Sequence, residues 1–247
     1  MDVAGSLFMG RDGYNYWQFK RAKKSARRYG FEVYKSHLNW MSDPDFKKVR
    51  DIVSERNIIG IPNDRCYMLF ELSRLLADIS GDMAECGVRY GRSTVFLLAG
   101  RGVQSSKTLH LFDSFAGLSR PSAADRPDIN TPEWEEGELA VPIETVKANL
   151  KGLDNRVEFH KGWIPDRFSD VASAKFSLVH LDVDLYEPTL ESLRFFYPRM
   201  TPGGAFVCDD YGSAYCPGAK RAMDEYFAAL PEKVLPLTTG QAIVVKQ

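Results

Sequence analysis

Two acidic clusters lie about one helix apart in this chain: Leu181-Asp182-Val183-Asp184-Leu185-Tyr186 and Cys208-Asp209-Asp210-Tyr211-Gly212. Carboxylates gathered in one place repel each other unless a cation lies between them. An all-oxygen donor set suits a hard divalent ion such as magnesium. Convergence of these acids would make a metal centre able to act on an oxygen nucleophile.

The flanking sequence provides the means of convergence. Phe176-Ser177-Leu178-Val179-His180 and Ala205-Phe206-Val207-Cys208 are short apolar runs that read as buried strands, each closed by its acids. The stretch 189–200 has helical character and ends in Pro202-Gly203-Gly204. Strand, helix, strand predicts two parallel neighbours with both acid sets at their C-terminal ends, the edge where open α/β sheets bind ligands.

A second motif precedes these. Met83-Ala84-Glu85-Cys86-Gly87-Val88 reads as a strand that turns through Gly87 and Gly91 into a helix beginning near Ser93. The spacing is GxxxG rather than GxGxxG, and the lysine of a P-loop is missing, so a diphosphate is not the natural guest. A further strand, residues 108–112, closes on Asp113, 22 residues after Gly91. About 20 residues is the spacing at which an acid meets ribose hydroxyls in dinucleotide folds. Loop and acid together point to an adenosine-containing cofactor.

Helices over 65–80, 143–150 and 219–230, a strand over 156–160 and a closing antiparallel pair (234–237 and 242–245) complete an alternating pattern, which predicts a doubly wound, mostly parallel α/β sheet. Residues 116–140 carry no apolar period and read as a lid or binding loop, or else as disordered chain. Residues 1–50 differ from the rest. Tyr14, Tyr16, Trp17 and Phe19 lead into a run from Lys20 to Arg28 with six basic residues in nine. The segment 14–34 is read first as a solvated, packed helix and second as a surface for anionic membrane or phosphate. The expected division is an N-terminal helical appendage, 1–60, and a catalytic domain, 61–247.

Bulk properties narrow the class. A net charge of -1 gives no field for nucleic acid, and 44% hydrophobic residues suffice for a full core. Cys66, Cys86, Cys208 and Cys216 show no CxxC pair, and no apolar run spans a membrane, so a cytoplasmic protein is expected. Homo-oligomerisation is left open.

In order and spacing, these motifs resemble the macrocin-type O-methyltransferases, S-adenosylmethionine enzymes of a class I (Rossmann-like) fold, many of which act on sugar hydroxyls of natural products. The resemblance rests on Glu85-Cys86-Gly87-Val88 with Gly91 and Ser93, on 112–118, on Lys161-Gly162-Trp163, on 180–189, on Pro202-Gly203-Gly204 and on Asp209-Asp210-Tyr211-Gly212. It implies metal ligation by Asp182, Asp209 and Asp210, with Mg2+ or a similar cation, and a general-base role for Asp182. It implies cofactor contacts from Glu85, Cys86, Gly87, Ser93, Asp113, Ser114, Gly162, Trp163 and Asp182. Tyr90 and Val183 depart from the family pattern, which often has glycine at both. The expected acceptor is a small-molecule or glycan hydroxyl. Rival readings are a metal-dependent catechol or phenol methyltransferase, a nicotinamide oxidoreductase (disfavoured by the missing GxGxxG) and a catalytically silent cofactor binder.

Overall fold

The computed structural model describes residues 11–28, 30, 40–127, 132–153 and 156–247. It divides into two compact units, Met1–Lys47 and Lys48–Gln247, and the 60/61 boundary read from the sequence falls inside the second. In the first unit, α1 spans Arg11–Arg28, and the basic side chains from Lys20 onward are largely exposed. The aromatic stretch 31–34 lies outside the described residues. Helix α2, Pro44–Glu55, starts where Asp43 Oδ1 accepts the backbone N–H groups of Asp45 and Phe46, an N-cap that satisfies two otherwise orphaned donors.

The second unit holds α3 (Asn63–Leu75), β1 (Asp82–Cys86), α4 (Arg92–Arg101), β2 (Leu109–Asp113), α5 (Ile143–Leu150), β3 (Val157–Lys161), β4 (Phe176–Leu181), α6 (Tyr186–Phe196), β5 (Met200–Cys208), α7 (Pro217–Phe227), β6 (Leu235–Pro236) and β7 (Ala242–Val245). Seven strands form one sheet in the order β3-β2-β1-β4-β5-β7-β6. Strands β1 to β5 are parallel, while β7 runs antiparallel to β5 and β6. The doubly wound sheet with an antiparallel edge is the expected architecture. Its order reverses beside β1, which pairs with β2 on one side and β4 on the other, and this switch opens a crevice at the strand ends.

Helices lie on the sheet because their apolar stripes match its buried strands. Strand β4 is buried along its whole length, and Phe112, Phe168, Phe176 and Phe196 pack edge-to-face on one side of the sheet. Gly100 lets α3 and α4 approach closely, since a Cβ there would overlap the Phe70 carbonyl, and Ser73 Oγ donates across the same contact to Leu97 O at 2.8 Å.

One sequence expectation is corrected. Helix α6 ends at Phe196, and a 3-10 turn over Tyr197–Arg199 leads directly into β5. Pro202-Gly203-Gly204 therefore lies within β5 rather than after a helix. Gly203 N–H donates to Lys246 O and Lys246 N–H to Gly204 O, so a glycine-rich segment that reads as a turn is held in place by the neighbouring chain.

The stretch 116–140 is irregular apart from a 3-10 turn at Ala123–Asp125, with 128–131 outside the described residues. Its ends are tied together by Leu118 N–H to Glu138 O and Gly137 N–H to Leu118 O. Asp125 Oδ1 accepts Tyr186 N–H at 2.6 Å, and Trp134 Nε1 donates to Tyr215 O.

Candidate active site

At the C-terminal ends of β1, β2, β4 and β5 lies a cavity of about 290 Å³. Its walls include Gly87, Ser93, Asp113, Ser114, Trp163, Asp182, Asp209 and Asp210, all singled out in the sequence, together with Arg65, Arg89, Tyr90, Trp134 and Asp184. The strand ends are laced together by backbone hydrogen bonds: Gly87 N–H to Phe112 O, Asp182 N–H to Cys86 O and Asp209 N–H to Leu181 O. This lacing sets the acids at one level along the sheet edge.

Gly87 has φ 84°, and a Cβ there would overlap the carbonyl oxygen of Asp182. Only glycine accepts both the left-handed backbone and the close approach of the β4 loop. Asp113 Oδ2 accepts the N–H groups of Val88 (2.7 Å) and Arg89 (3.1 Å), and its Oδ1 accepts Phe115 N–H. The β2 acid thereby fixes the glycine loop while facing the cavity.

Carboxylate oxygens of Asp182, Asp209 and Asp210 lie within 4.8 Å of one another. Their electrostatics differ. Burial, followed by the charges of Asp209 and Asp184, raises the Asp182 pKa well above the usual carboxylate range. Burial and the charges of Asp184 and Asp182 do the same to Asp210. Burial also works against ionised Asp209, but His180 and Arg65 outweigh it and hold its pKa low. A cavity wall of oxygen donors whose mutual repulsion penalises ionisation fits a hard divalent cation, and Asp182, Asp209 and Asp210 are the residues that would hold it. Asp184, pushed up to about 6 by burial, forms a neighbouring group with Asp210 and Cys216.

Beneath the cavity runs a buried polar chain. Thr94 Oγ1 donates to Glu85 Oε2 at 2.5 Å, Glu85 Oε1 lies 3.1 Å from His180 Nδ1, and His180 Nε2 lies 3.5 Å from Asp209 Oδ1. Burial opposes the imidazolium, yet hydrogen bonds to Asp209 and Glu85 lift His180 to about 10. Asp209 Oδ1 also accepts from Gln241 Nε2 at 2.8 Å.

Glu85, Cys86 and Gly162 do not line the cavity. Glu85 is fully buried, its carboxylate committed to Thr94 and His180. Cys86 points into the core from β1, and burial raises its thiol pKa. Gly162 donates its N–H to Asp113 O, and a Cβ there would press on the Arg167 side chain. Conversely, the sequence reading missed Arg65, Gln241 and the bridging role of His180. Gln241 had a signal: a polar residue just before a final apolar strand returns to the same sheet edge when that strand runs antiparallel.

Comparison with known proteins agrees with this geometry. Residues 72–233 match the family model described as Macrocin-O-methyltransferase (TylF). The chain is 34% identical over 151 residues to the 8-demethyl-8-(2,3-dimethoxy-alpha-L-rhamnosyl)-tetracenomycin-C 4'-O-methyltransferase of Streptomyces olivaceus, covering 58% of each chain. It is 30% identical over 166 residues to the Mycinamicin III 3''-O-methyltransferase of Micromonospora griseorubida, covering 62% of this chain and 63% of that one. The chain thus spans about three-fifths of the length of the curated relatives it matches. Among solved structures, the O-methyltransferase NovP superposes with a TM-score of 0.60 at 25% identity, covering 74% of this chain and 79% of its own. The calicheamicin methyltransferase CalS11 gives 0.62 at 22% identity, covering 82% and 93%, a likeness of fold. With its glycine loop and the acids at the ends of β2, β4 and β5 on a class I methyltransferase sheet, this chain belongs to the macrocin-O-methyltransferase family.

Proposed function

We propose that this chain is an S-adenosylmethionine- and divalent-metal-dependent O-methyltransferase acting on a sugar hydroxyl of a natural product. The observation that carries the reading is the meeting of Asp182, Asp209 and Asp210 in the cavity that Asp113 and the Gly87 loop also line. The acceptor class draws on relatives whose names specify O-methylation of a rhamnosyl tetracenomycin, of mycinamicin III and of demethyldecarbamoylnovobiocin.

S-adenosylmethionine brings a methyl group already activated by its sulfonium charge. A divalent cation, when bound, offers a positive field that lowers the pKa of a nearby hydroxyl. The chain's own residues do the rest. Asp113 accepts the ribose hydroxyls, held at the right height by its bonds to Val88 and Arg89. Trp163 presents a partly exposed ring to the adenine side of the cavity. Asp182, Asp209 and Asp210 would hold the cation. Asp182 takes the proton from the acceptor hydroxyl as general base. Arg65, Gln241 and His180 fix Asp209. The loop over 116–140 contributes Leu118, Trp134 and Leu139, which screen the centre from water.

The test incubates the protein with S-adenosylmethionine and magnesium against deoxysugar-bearing natural products, nucleotide sugars and catechols, reading S-adenosylhomocysteine release and product mass. Methylated sugar, lost on chelation, is expected. Turnover confined to catechols would reassign the acceptor. Turnover unaffected by chelator would remove the metal, and no binding of the donor would remove the enzyme reading.

A further inference from the structure

A second cluster of ligand-type side chains lies away from the cavity, on the β2–β3 side of the sheet. His110 pairs in register with Glu158, and Phe112 with His160, so all four side chains share one sheet face. His110 Nδ1 is 3.1 Å from His160 Nε2 and 3.4 Å from Glu158 Oε2, and the three atoms lie within 4.8 Å of one another. Two donors on a tetrahedral zinc are about 3.3 Å apart, given Zn–N and Zn–O distances near 2.0–2.1 Å. The observed separations match one edge and its neighbour.

The outer faces of both rings meet carboxylates. His160 Nδ1 lies 3.0 Å from Asp170 Oδ2, and Arg167 clamps that same oxygen with two hydrogen bonds. His110 Nε2 is buried without a hydrogen bond, 3.5 Å from Asp82 Oδ2. Asp82 is itself oriented by Thr108 N–H on its Oδ1. Carboxylates behind the far nitrogens of ligating histidines are the usual support of a metal centre.

Counting protons sharpens the point. Asp170 and Asp82 each call for an N–H on the nitrogen facing them. If both neutral rings meet that demand, each turns a bare lone pair toward the other at 3.1 Å. If one ring instead donates between them, a carboxylate faces a lone pair. Two neutral imidazoles are therefore one positive charge short, which either a proton on one ring or a metal ion between them supplies. A metal cation between His110 Nδ1, His160 Nε2 and Glu158 Oε2 satisfies every atom with both rings neutral.

We propose that His110, Glu158 and His160 form a zinc site, with Asp82 and Asp170 positioning the two rings and a fourth coordination position open beside the exposed Glu158. The site would tie edge strand β3 to β2, the strand that ends in Asp113.

The test titrates Co2+ alone, then Zn2+ alone, into the full chain after chelation and removal of chelator. We expect one equivalent of Co2+ to give the intense visible bands of a tetrahedral ion, without thiolate charge transfer, and Zn2+ to displace it. Thiolate charge transfer would locate the ion at Asp184, Asp210 and Cys216 instead, and weak octahedral bands with no tetrahedral component beyond two equivalents would confine it to the acid cluster; either overturns the proposal. Glu158→Gln should weaken Co2+ binding about tenfold or more, His160→Gln should abolish the bands, and Asp210→Asn should leave them unchanged. The Glu158 side chain is 60% exposed, so that variant decides if His160→Gln does not fold. Absence of tetrahedral bands, or bands unaltered in Glu158→Gln, leaves only a hydrogen-bonded histidine pair.

Discussion

Arg65 Nη1 donates to Asp209 Oδ2 at 2.5 Å, joining the first turn of α3 to the end of β5. Asp209 is fully buried, and the guanidinium is one-fifth exposed. Arg65 Nε donates to Thr239 O at 3.0 Å, holding the guanidinium from a second side. Of the three acids in the cluster, the one with a fixed cationic partner is the one held ionised; Asp182 and Asp210 have their pKa values raised.

Arg65→Gln should therefore destabilise the metal-free protein by about 2 kcal/mol, below the 3–5 kcal/mol of a fully buried broken pair because the arginine is partly solvated. Magnesium should restore part of the loss by supplying the missing charge. Thermal unfolding with chelator and with magnesium measures both; an unchanged melting temperature would show that the pair contributes nothing.

His180 predicts a pH dependence. Its folded pKa, about 10, lies above the ordinary 6.5. Its contribution is therefore complete below pH 6.5 and is lost as pH rises from 6.5 through about 10. In chelator, unfolding free energy should fall over that window. His180→Asn should reduce the slope along with removing the bridge between Glu85 and Asp209, the remainder coming from Asp182 and Asp210, whose pKa values are also raised. Urea denaturation at a series of pH values tests this, and equal slopes in both proteins would contradict it.

Kinetics should separate the two halves of the cavity. Asp182→Asn should lower kcat by about 100-fold or more, the contribution of a general base. Asp113→Asn should instead raise KM for S-adenosylmethionine about tenfold, the cost of weakening charge-assisted hydrogen bonds. Steady-state rates of S-adenosylhomocysteine formation distinguish them, and matching effects on both parameters would argue against separate roles.

Gly87→Ala should destabilise the protein by about 2–4 kcal/mol, since a positive φ and the Asp182 carbonyl both oppose a Cβ. Gly102→Ala shares the positive φ but has no atom within 4 Å of its Cβ, so its loss should be smaller. Denaturant midpoints of the two variants make the comparison.

Much of this was legible in the residues because burial and chemistry change at the same place. Strand β4 is apolar up to Leu181 and acidic at Asp182, and β5 is apolar up to Cys208 and acidic at Asp209, so the pattern marks both the element and its functional end. The partners of those acids were hidden. Arg65 lies 144 positions from Asp209, and local spacing carries no trace of such a contact. Glu85 is expected to touch the cofactor, yet pairing of β1 with β4 places it opposite His180 and turns it inward. Pro202-Gly203-Gly204 has the composition of a turn, and only the antiparallel neighbour makes it strand.

The contact between Gly87 and the Asp182 backbone also bears on how such a protein diversifies. The loops after β1 and β4 touch there with no room between them, so a change in either must be matched in the other. New acceptors are more readily accommodated through Trp134 and Leu139, which reach the cavity from a long irregular segment outside the sheet.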